Sequence, residues 1–193
     1  MNLKNSGNRD ISGICFNLKQ PSAYTLKDLA VKGGFGKAAL GMPQNSVRTI
    51  LGDPDLAGSV SQRYKKPNIW RYGDLELGFS RPDYTLSYFA VNYYWCNYST
   101  PKSGKKLKFD PWILVGKLQP DEFVAAMKRE RVENLEVEKP WNEDCREFVT
   151  ELGMHIIFQM QGEDREHIGL HKFVVSRHTF PKADGCHKQV WMK

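Results

Sequence analysis

The residues with most metal-binding capacity are five histidines, all within about the last forty residues of this 193-residue chain. They are His155, His167, His171, His178 and His187, and Cys186 lies next to the last of them. A structural zinc site needs three or four nitrogen and sulfur ligands, usually with a CxxC or HExxH spacing. Neither spacing is present. We therefore expect histidines scattered over strand and tail surfaces, and no metal or other cofactor.

Nucleophilic catalysis and nucleotide binding are not indicated either. A reactive serine or cysteine needs a base beside it, and the chain has no GxSxG motif. The glycine-rich run KGGFGKA at residues 32–38 has Val31 and Ala38 where a phosphate-binding loop needs glycine and serine or threonine. We interpret this run as a flexible joint and predict that the protein is not an enzyme. An enzyme of unknown type stays as an alternative.

An acidic stretch, ENLEVEKPWNEDCREF at residues 133–148, favours a protein-binding site. An aromatic ring among carboxylates can fill a basic cleft, since burial of the ring gives affinity and the charges give fast and selective encounter. The predicted contacts are a pair on one strand face and three residues in the following loop: Glu136, Glu138, Trp141, Glu143 and Asp144. The alternative is a solvated surface with Trp141 folded inward.

The segment NYYW at residues 92–95 mixes aromatic rings with nearby positive charge. Nucleic-acid-binding proteins stack rings on bases and hold phosphates with lysines. We favour a simpler interpretation, in which alternate residues of a long strand fill the core. The lysines, which then keep a loop in water, are Lys102, Lys105, Lys106 and Lys108.

The charge of the chain is unevenly distributed. Its formal net charge is +6, but residues 119–170 hold 6 Lys and Arg against 13 Asp and Glu. Such asymmetry indicates a charged partner, or two ends that neutralise each other across the fold.

The cysteines and the N-terminus predict a cytoplasmic, non-membrane protein. Cys15, Cys96, Cys145 and Cys186 are far apart, which is typical of free and mostly buried thiols. The first residues lack the apolar region of a signal peptide, and no apolar run is long enough to span a bilayer.

Turn and helix signals predict an α+β fold of two α-β-β-β pseudo-repeats, with antiparallel sheet and helices packed on one face. Pro43 and Gly52 are typical of the ends of a helix over residues 43–51, and Gly73-Asp74 is typical of a hairpin turn between strands at 69–72 and 75–79. A third strand is predicted at 84–95. In the second half a helix is predicted at 118–130, with strands at 134–138, 146–150, 154–160 and 170–176.

These elements divide the chain into five parts. Residues 1–40 are expected to form a loosely packed lead-in with a short helix at 25–31. Residues 41–100 form the first half, 101–117 a linker and connecting strand, 118–178 the second half, and 179–193 a C-terminal tail.

Two quoted stretches, GMPQNSVRTILGDPD and IWRYGDLELGF, resemble a group of small cytoplasmic bacterial proteins, most of them uncharacterised. Their pattern is GMxxxxVxxxLGxP, then a Trp/Tyr-Gly-Asp hairpin, then a second half like LQPDEFVAAM and FVTELGMHIIF. The resemblance covers residues 40–175. Several such proteins look like immunity proteins, which neutralise a toxin delivered by neighbouring cells. The helix and Gly-x-Pro stop also resemble small lipoproteins of the outer-membrane β-barrel assembly machinery, whose lipid anchor we do not expect here.

The resemblance implies an immunity protein that occludes the active site of a cognate toxin. Its motif residues fit maintenance of the fold: Gly41, Val47, Leu51, Gly52, Pro54, Tyr72, Gly73 and Asp74. Immunity proteins against nucleases are often acidic overall, whereas this chain is basic, so a nuclease target requires contact through the acidic stretch. The alternative is a nucleic-acid-associated protein that uses the basic surface.

Overall fold

Alternation of apolar and polar residues places more of this structure in strands than in helices. The computed structural model describes residues 24–59, 61, 66–93, 99–138, 140, 143–161 and 167–176. The elements in that part of the chain are α1 (Leu26–Lys32), β1 (Gly34–Phe35), β2 (Ala38–Ala39), α2 (Gln44–Leu51), β3 (Leu56–Gly58), β4 (Ile69–Tyr72), β5 (Leu75–Ser80), β6 (Thr85–Asn92), α3 (Pro120–Arg129), β7 (Asn134–Glu136), β8 (Cys145–Thr150), β9 (Met154–Gln161) and β10 (His167–Ser176). The predicted α+β class is confirmed.

Eight strands form one antiparallel sheet in the order β3-β4-β5-β6-β10-β9-β8-β7, and β1 and β2 form a separate hairpin. Helix α2 precedes the strands of one side of the sheet, and α3 precedes those of the other. The two groups meet in the middle, where β6 pairs with β10. Strand β3 is not predicted by the sequence, because its three residues lie in a polar stretch with no alternating pattern.

One face of the sheet carries the core. Strand residues on this face line up across the register from Tyr72 on β4 to Phe148 on β8, and they are buried. Helix α3 packs on it through Phe123, whose ring centroid lies 5.8 Å from that of Phe148 and 5.9 Å from that of Phe158. The helix is fixed at its start by a capping box between Gln119 and Glu122, which satisfies backbone N–H groups of the first turn.

Residues 24–40 do not form the loosely packed lead-in that the sequence predicts. Leu26, Leu29 and Phe35 are fully buried, and the Phe35 ring lies 6.2 Å from that of Phe89 on β6. The run interpreted as a flexible joint is instead the tight β1–β2 hairpin, with Gly36 at a φ of +61°. The glycines serve the turn between the two short strands, and Phe35 holds the hairpin against the sheet.

Residues 101–117 are also more than a linker, and they contain no strand. Leu107, Phe109 and Leu114 belong to the core. The expected third strand of the first half stops at Asn92, and the fully buried Tyr93 donates its hydroxyl hydrogen to the carbonyl of Leu114 at 2.7 Å. The composition of this segment is typical of a loop, yet it contains apolar residues that are buried one at a time. Because they follow no helical or strand periodicity, the sequence pattern does not predict their burial.

The hairpin turn at Gly73-Asp74 is held by two carboxylates. Asp55 accepts hydrogen bonds from the backbone N–H groups of Gly73 at 2.9 Å and Lys105 at 3.0 Å. Asp74 accepts one from the N–H of Lys102 at 2.7 Å. These contacts tie the turn to the loop that follows β6, so the motif residues Gly73 and Asp74 both have structural partners.

None of the helices within the described ranges is long and apolar enough to cross a membrane.

Candidate protein-binding site

The predicted acidic site lies at one edge of the sheet, around the outermost strand β7. We define the acidic edge as Asp121, Glu136, Glu138, Glu143 and Asp144. Glu136 is the last residue of β7 and its side chain is 47% exposed. The strand ends there rather than at Glu138, although Val137 continues the ladder with an N–H to Glu147 carbonyl bond of 2.8 Å.

Arg146 on β8 neutralises part of this edge. Its guanidinium donates to both oxygens of Glu136, with an Nε–Oε1 distance of 2.7 Å and an Nη2–Oε2 distance of 3.1 Å. A third, longer bond of 3.4 Å joins its Nη1 to Asp121 in the first turn of α3. Such a bidentate pair fixes the geometry of both side chains. Glu136 is thus held in place by Arg146 while part of its carboxylate stays exposed.

The other predicted contact residues are distributed differently. Glu138 and Glu143 are exposed, and Asp144 is half-buried, with its carbonyl accepting the N–H of Met160 at 3.0 Å. Trp141 lies outside the described residues. The structure therefore brings Glu136 together with Asp121 and Arg146, and it places the exposed Glu138 and Glu143 along the connection between β7 and β8.

Sequence reasoning missed Arg146 and Asp121. Arg146 is the cross-strand diagonal neighbour of Glu136, since Glu136 pairs with Phe148 in the register of β7 and β8. That relation could be found only by fixing the hairpin register, because ten residues separate the two in the chain. In the sequence, Asp121 is only an acid near the start of the helix predicted at 118–130, where the helix dipole favours negative charge.

The Arg146 contact sets the ionisation of Glu136. The pKa of Glu136 is lowered chiefly because Arg146 donates hydrogen bonds to the carboxylate, and its charge adds to the effect. A lowered pKa means that the pair stabilises the fold above the pKa of the unfolded carboxyl, and that this stability is lost as pH falls through the folded value. Because both groups are substantially exposed, the contribution to stability is small.

We expect the variant Arg146→Met to raise the pKa of Glu136 toward that of an ordinary glutamate. Methionine keeps the apolar stem near the ring of Phe148, over which the guanidinium lies at 5.4 Å, and removes the charge. The measurement is an NMR titration of the Glu136 side-chain carboxyl. Arg129→Ala, at an exposed position of α3, serves as the control. An unchanged pKa of Glu136 in Arg146→Met would show that the pair does not form.

Comparisons with protein-family models, curated proteins and solved structures find no match.

The histidine region contains a buried contact between His155 and Glu147 rather than a surface histidine. His155 Nε2 lies 3.0 Å from Glu147 Oε2, and the two side chains are only 13% and 6% exposed. His155 was expected at a strand surface, and its burial follows from its place in the middle of the sheet, with Val174 on one side and Val149 on the other. Within the described ranges, no three His, Cys, Asp or Glu residues are grouped so that they could hold a metal ion.

Cys145 is a buried free thiol, as predicted for the cysteines. Burial raises the pKa of Cys145 to about 11, and the nearby charge of Glu147 adds to the shift. A thiol with a raised pKa is protonated at neutral pH, so Cys145 is suited to packing and not to nucleophilic attack. The other three cysteines lie outside the described residues.

The aromatic and basic segment after β6 is structural where it is described. Tyr93 is in the core, as the favoured interpretation of NYYW requires, and Tyr94 and Trp95 lie outside the described residues. The backbone N–H groups of Lys102 and Lys105 are bound by Asp74 and Asp55. Their side chains and that of Lys106 are exposed.

A shallow depression of about 800 Å³ lies beside the start of α3. Ile113, Val115 and Leu118 form its apolar lining, and Lys117, Glu122 and Arg129 also line it. The Glu122 carboxylate accepts the N–H of Gln119 at 3.0 Å, so it is used in capping the helix. The carboxylate of Glu122 in this depression therefore has a structural role, since it caps the start of α3.

Proposed function

We propose that this protein is a cytoplasmic bacterial immunity protein that binds a cognate toxin and occludes its active site. The observation that carries the proposal is the acidic edge: carboxylates gathered at an outer strand of a basic protein, with Glu138 and Glu143 exposed. Its contact residues are Glu136, Glu138, Trp141, Glu143 and Asp144. Charged groups at a rim accelerate encounter with a partner of opposite charge and select against others.

The positions of these residues differ in how much charge each can offer to a partner. Glu136 is partly neutralised by Arg146, and a lysine in its place would put two cations side by side. Glu138 and Glu143 are better test positions, because both are exposed and their replacement leaves the Arg146 pair intact. Glu136 is then expected to fix the shape of the edge and to supply part of its charge, while the exposed Glu138 and Glu143 supply the rest.

We expect the double variant Glu138→Lys/Glu143→Lys to lose its protein partner at low salt. The protein would be tagged and purified from its native cells, with nuclease treatment, and bound proteins identified by mass spectrometry. With the purified partner at low ionic strength, the association rate of the variant is expected to be at least about tenfold lower than that of the parent. This difference in rate should shrink as salt screens the charges. Asp83→Lys, an exposed acid between β5 and β6, is the matched control.

Three results would decide the proposal. A stoichiometric partner that is toxic to cells lacking this protein, and whose binding depends on Glu138 and Glu143, supports it. Equal association rates for the double variant and the parent would overturn the site. Retention that requires nucleic acid would favour the alternative, a nucleic-acid-associated protein, and that alternative also predicts steep salt dependence on a polyanion column.

We also infer that the two halves are related repeats. Helix α2 with strands β3–β6 has the same order of elements as helix α3 with strands β7–β10. The last strands of the two groups, β6 and β10, pair with each other. In this interpretation β3 and β7 are equivalent outer strands, and only the β7 side carries the acidic stretch. Duplication followed by change at one edge would give a symmetric framework with a single binding site.

A further inference from the structure

Among the residues that the structure describes, no strand covers the outer side of β7. Within the described residues β7 pairs only with β8, and its register aligns Leu135 with Val149 and Glu136 with Phe148. Hydrogen-bonded and non-hydrogen-bonded pairs alternate along antiparallel strands. Because the N–H of Val137 donates inward to Glu147, the N–H and C=O groups of Asn134 and Glu136 point away from β8.

The two faces of this edge have different chemistry. Glu136 projects on the face that carries the helices, where Arg146 and Asp121 meet it. Leu135 projects on the opposite face and is 67% exposed, beside Val149 of the neighbouring strand. A strand added outside β7 would place alternate side chains beside the carboxylate and beside the leucine.

We propose that β7 is a docking edge for an extended segment of the partner in which basic and apolar residues alternate. The inference rests on the proposed function, since it takes the acidic edge as the binding site. Strand addition to an open sheet edge draws affinity from main-chain hydrogen bonds, and alternate side chains give specificity. Basic residues of the segment would lie opposite Glu136, and apolar residues would cover Leu135.

Charge decides against a second copy of this chain as the occupant. Two β7 strands paired edge to edge would bring their acidic residues together, and like charges facing each other across strands are destabilising. A basic segment has the opposite effect, because it adds positive charge where two carboxylates, Asp121 and Glu136, share the guanidinium of Arg146 and Glu138 is also exposed.

The test uses synthetic peptides, so that it does not depend on isolating the toxin. A peptide of about eight alternating arginine and valine residues is compared with one of equal length and charge whose arginine amides are N-methylated. The second peptide keeps its charges but cannot pair as a strand. We expect the first to bind about tenfold more tightly and to slow hydrogen exchange at the Glu136 amide. A glutamate–valine peptide is expected not to bind.

A variant of the protein tests the main-chain hydrogen bonds between β7 and the peptide by removing a donor from β7. Glu136→Pro removes the outward N–H without breaking the β7–β8 ladder, since proline is tolerated where the N–H faces away from the sheet. We compare it with Glu136→Gln, which removes the charge and keeps the N–H. Proline is expected to abolish the preference for the unmethylated peptide, whereas glutamine reduces binding of both peptides and preserves the preference.

Failure of this inference is separable from failure of the proposed function. Equal binding of the two basic peptides would overturn strand pairing, and so would the absence of binding by either. In both cases the effect of Glu138→Lys/Glu143→Lys on the natural partner still decides whether the acidic edge is its site. Because the methylated peptide is tested against the unaltered protein, the result stands even where Glu136→Pro fails to fold.

Discussion

Replacing Phe123 by alanine is expected to lower the free energy of unfolding by about 3–5 kcal/mol, the usual cost of removing a buried aromatic side chain. Phe123 is fully buried and joins α3 to the sheet through Phe148 and Phe158, whose own rings lie 5.9 Å apart. The three rings form the centre of the second half. Alanine would leave a cavity that these neighbours on two different strands cannot fill.

Equilibrium unfolding in denaturant measures this effect. Val124→Ala is the matched control, because Val124 is the next residue of the same helix and is only half-buried. We expect its cost to be well below that of Phe123→Ala. A cost for Phe123→Ala no greater than that of the control would mean that α3 is not docked on this face of the sheet.

The second large effect is expected for Gly73→Ala, at about 2–4 kcal/mol. Gly73 has a φ of +65°, a conformation that side chains with a Cβ rarely adopt. A methyl group there would also overlap the backbone at Lys102 and Ser103, which the turn touches through the isolated bridge between Gly73 and Ser103. Backbone cannot move aside as a side-chain end can, so the hairpin and the loop would have to separate.

Substitutions at two other glycines separate the two causes of the lost stability, which are the positive φ and the overlap with neighbouring backbone. Gly52 has a φ of +80° but open space where a Cβ would stand, so Gly52→Ala measures the conformational cost alone. Gly58 also has open space and does not have a positive φ, so Gly58→Ala is expected to have little effect. Thermal unfolding should rank the variants Gly73, Gly52 and Gly58 from most to least destabilised. Equal losses for Gly73 and Gly52 would exclude the close approach of the 102–104 loop.

The sequence predicted elements whose signals are local. Helix α2 lies between Pro43 and Gly52, and the hairpin of β4 and β5 turns at Gly73-Asp74 as expected. These features depend on backbone preferences of single residues and on period-two alternation, which are written in short stretches of chain. Helix α3 and strands β8, β9 and β10 also lie within a few residues of their predicted bounds.

Features that depend on tertiary contact could not be predicted in this way. Phe35 and Phe109 are buried against each other, with ring centroids 6.1 Å apart, yet each lies in a stretch with loop composition. Neither has the regular neighbours that would identify a buried face. Their burial depends on two segments more than seventy residues apart coming together, and no local pattern records that.

The candidate site shows the same division. The acidic character of residues 133–148 was evident from composition, but the pairing of Glu136 with Arg146 required the strand register. That pairing changes the expected chemistry of the edge, because a carboxylate already bound by a guanidinium offers less to a partner than a free one. The exposure of each side chain cannot be derived from the sequence. In the structure Glu138 and Glu143 are exposed, so we expect them to make the main charged contacts.

The meeting of β6 and β10 in the middle of the sheet has a consequence for the folding kinetics. Every other ladder of the large sheet joins strands that are consecutive in the chain, whereas this one aligns residues 88–92 with residues 172–176. Closing so long a loop costs more entropy than closing a hairpin, and non-local pairing of this kind slows folding. The meanders on either side are expected to form first, and the transition state of folding to be reached as this central seam closes. Destabilising substitutions within the meanders, such as in β4, and at the seam in β10 should therefore mainly slow folding rather than accelerate unfolding.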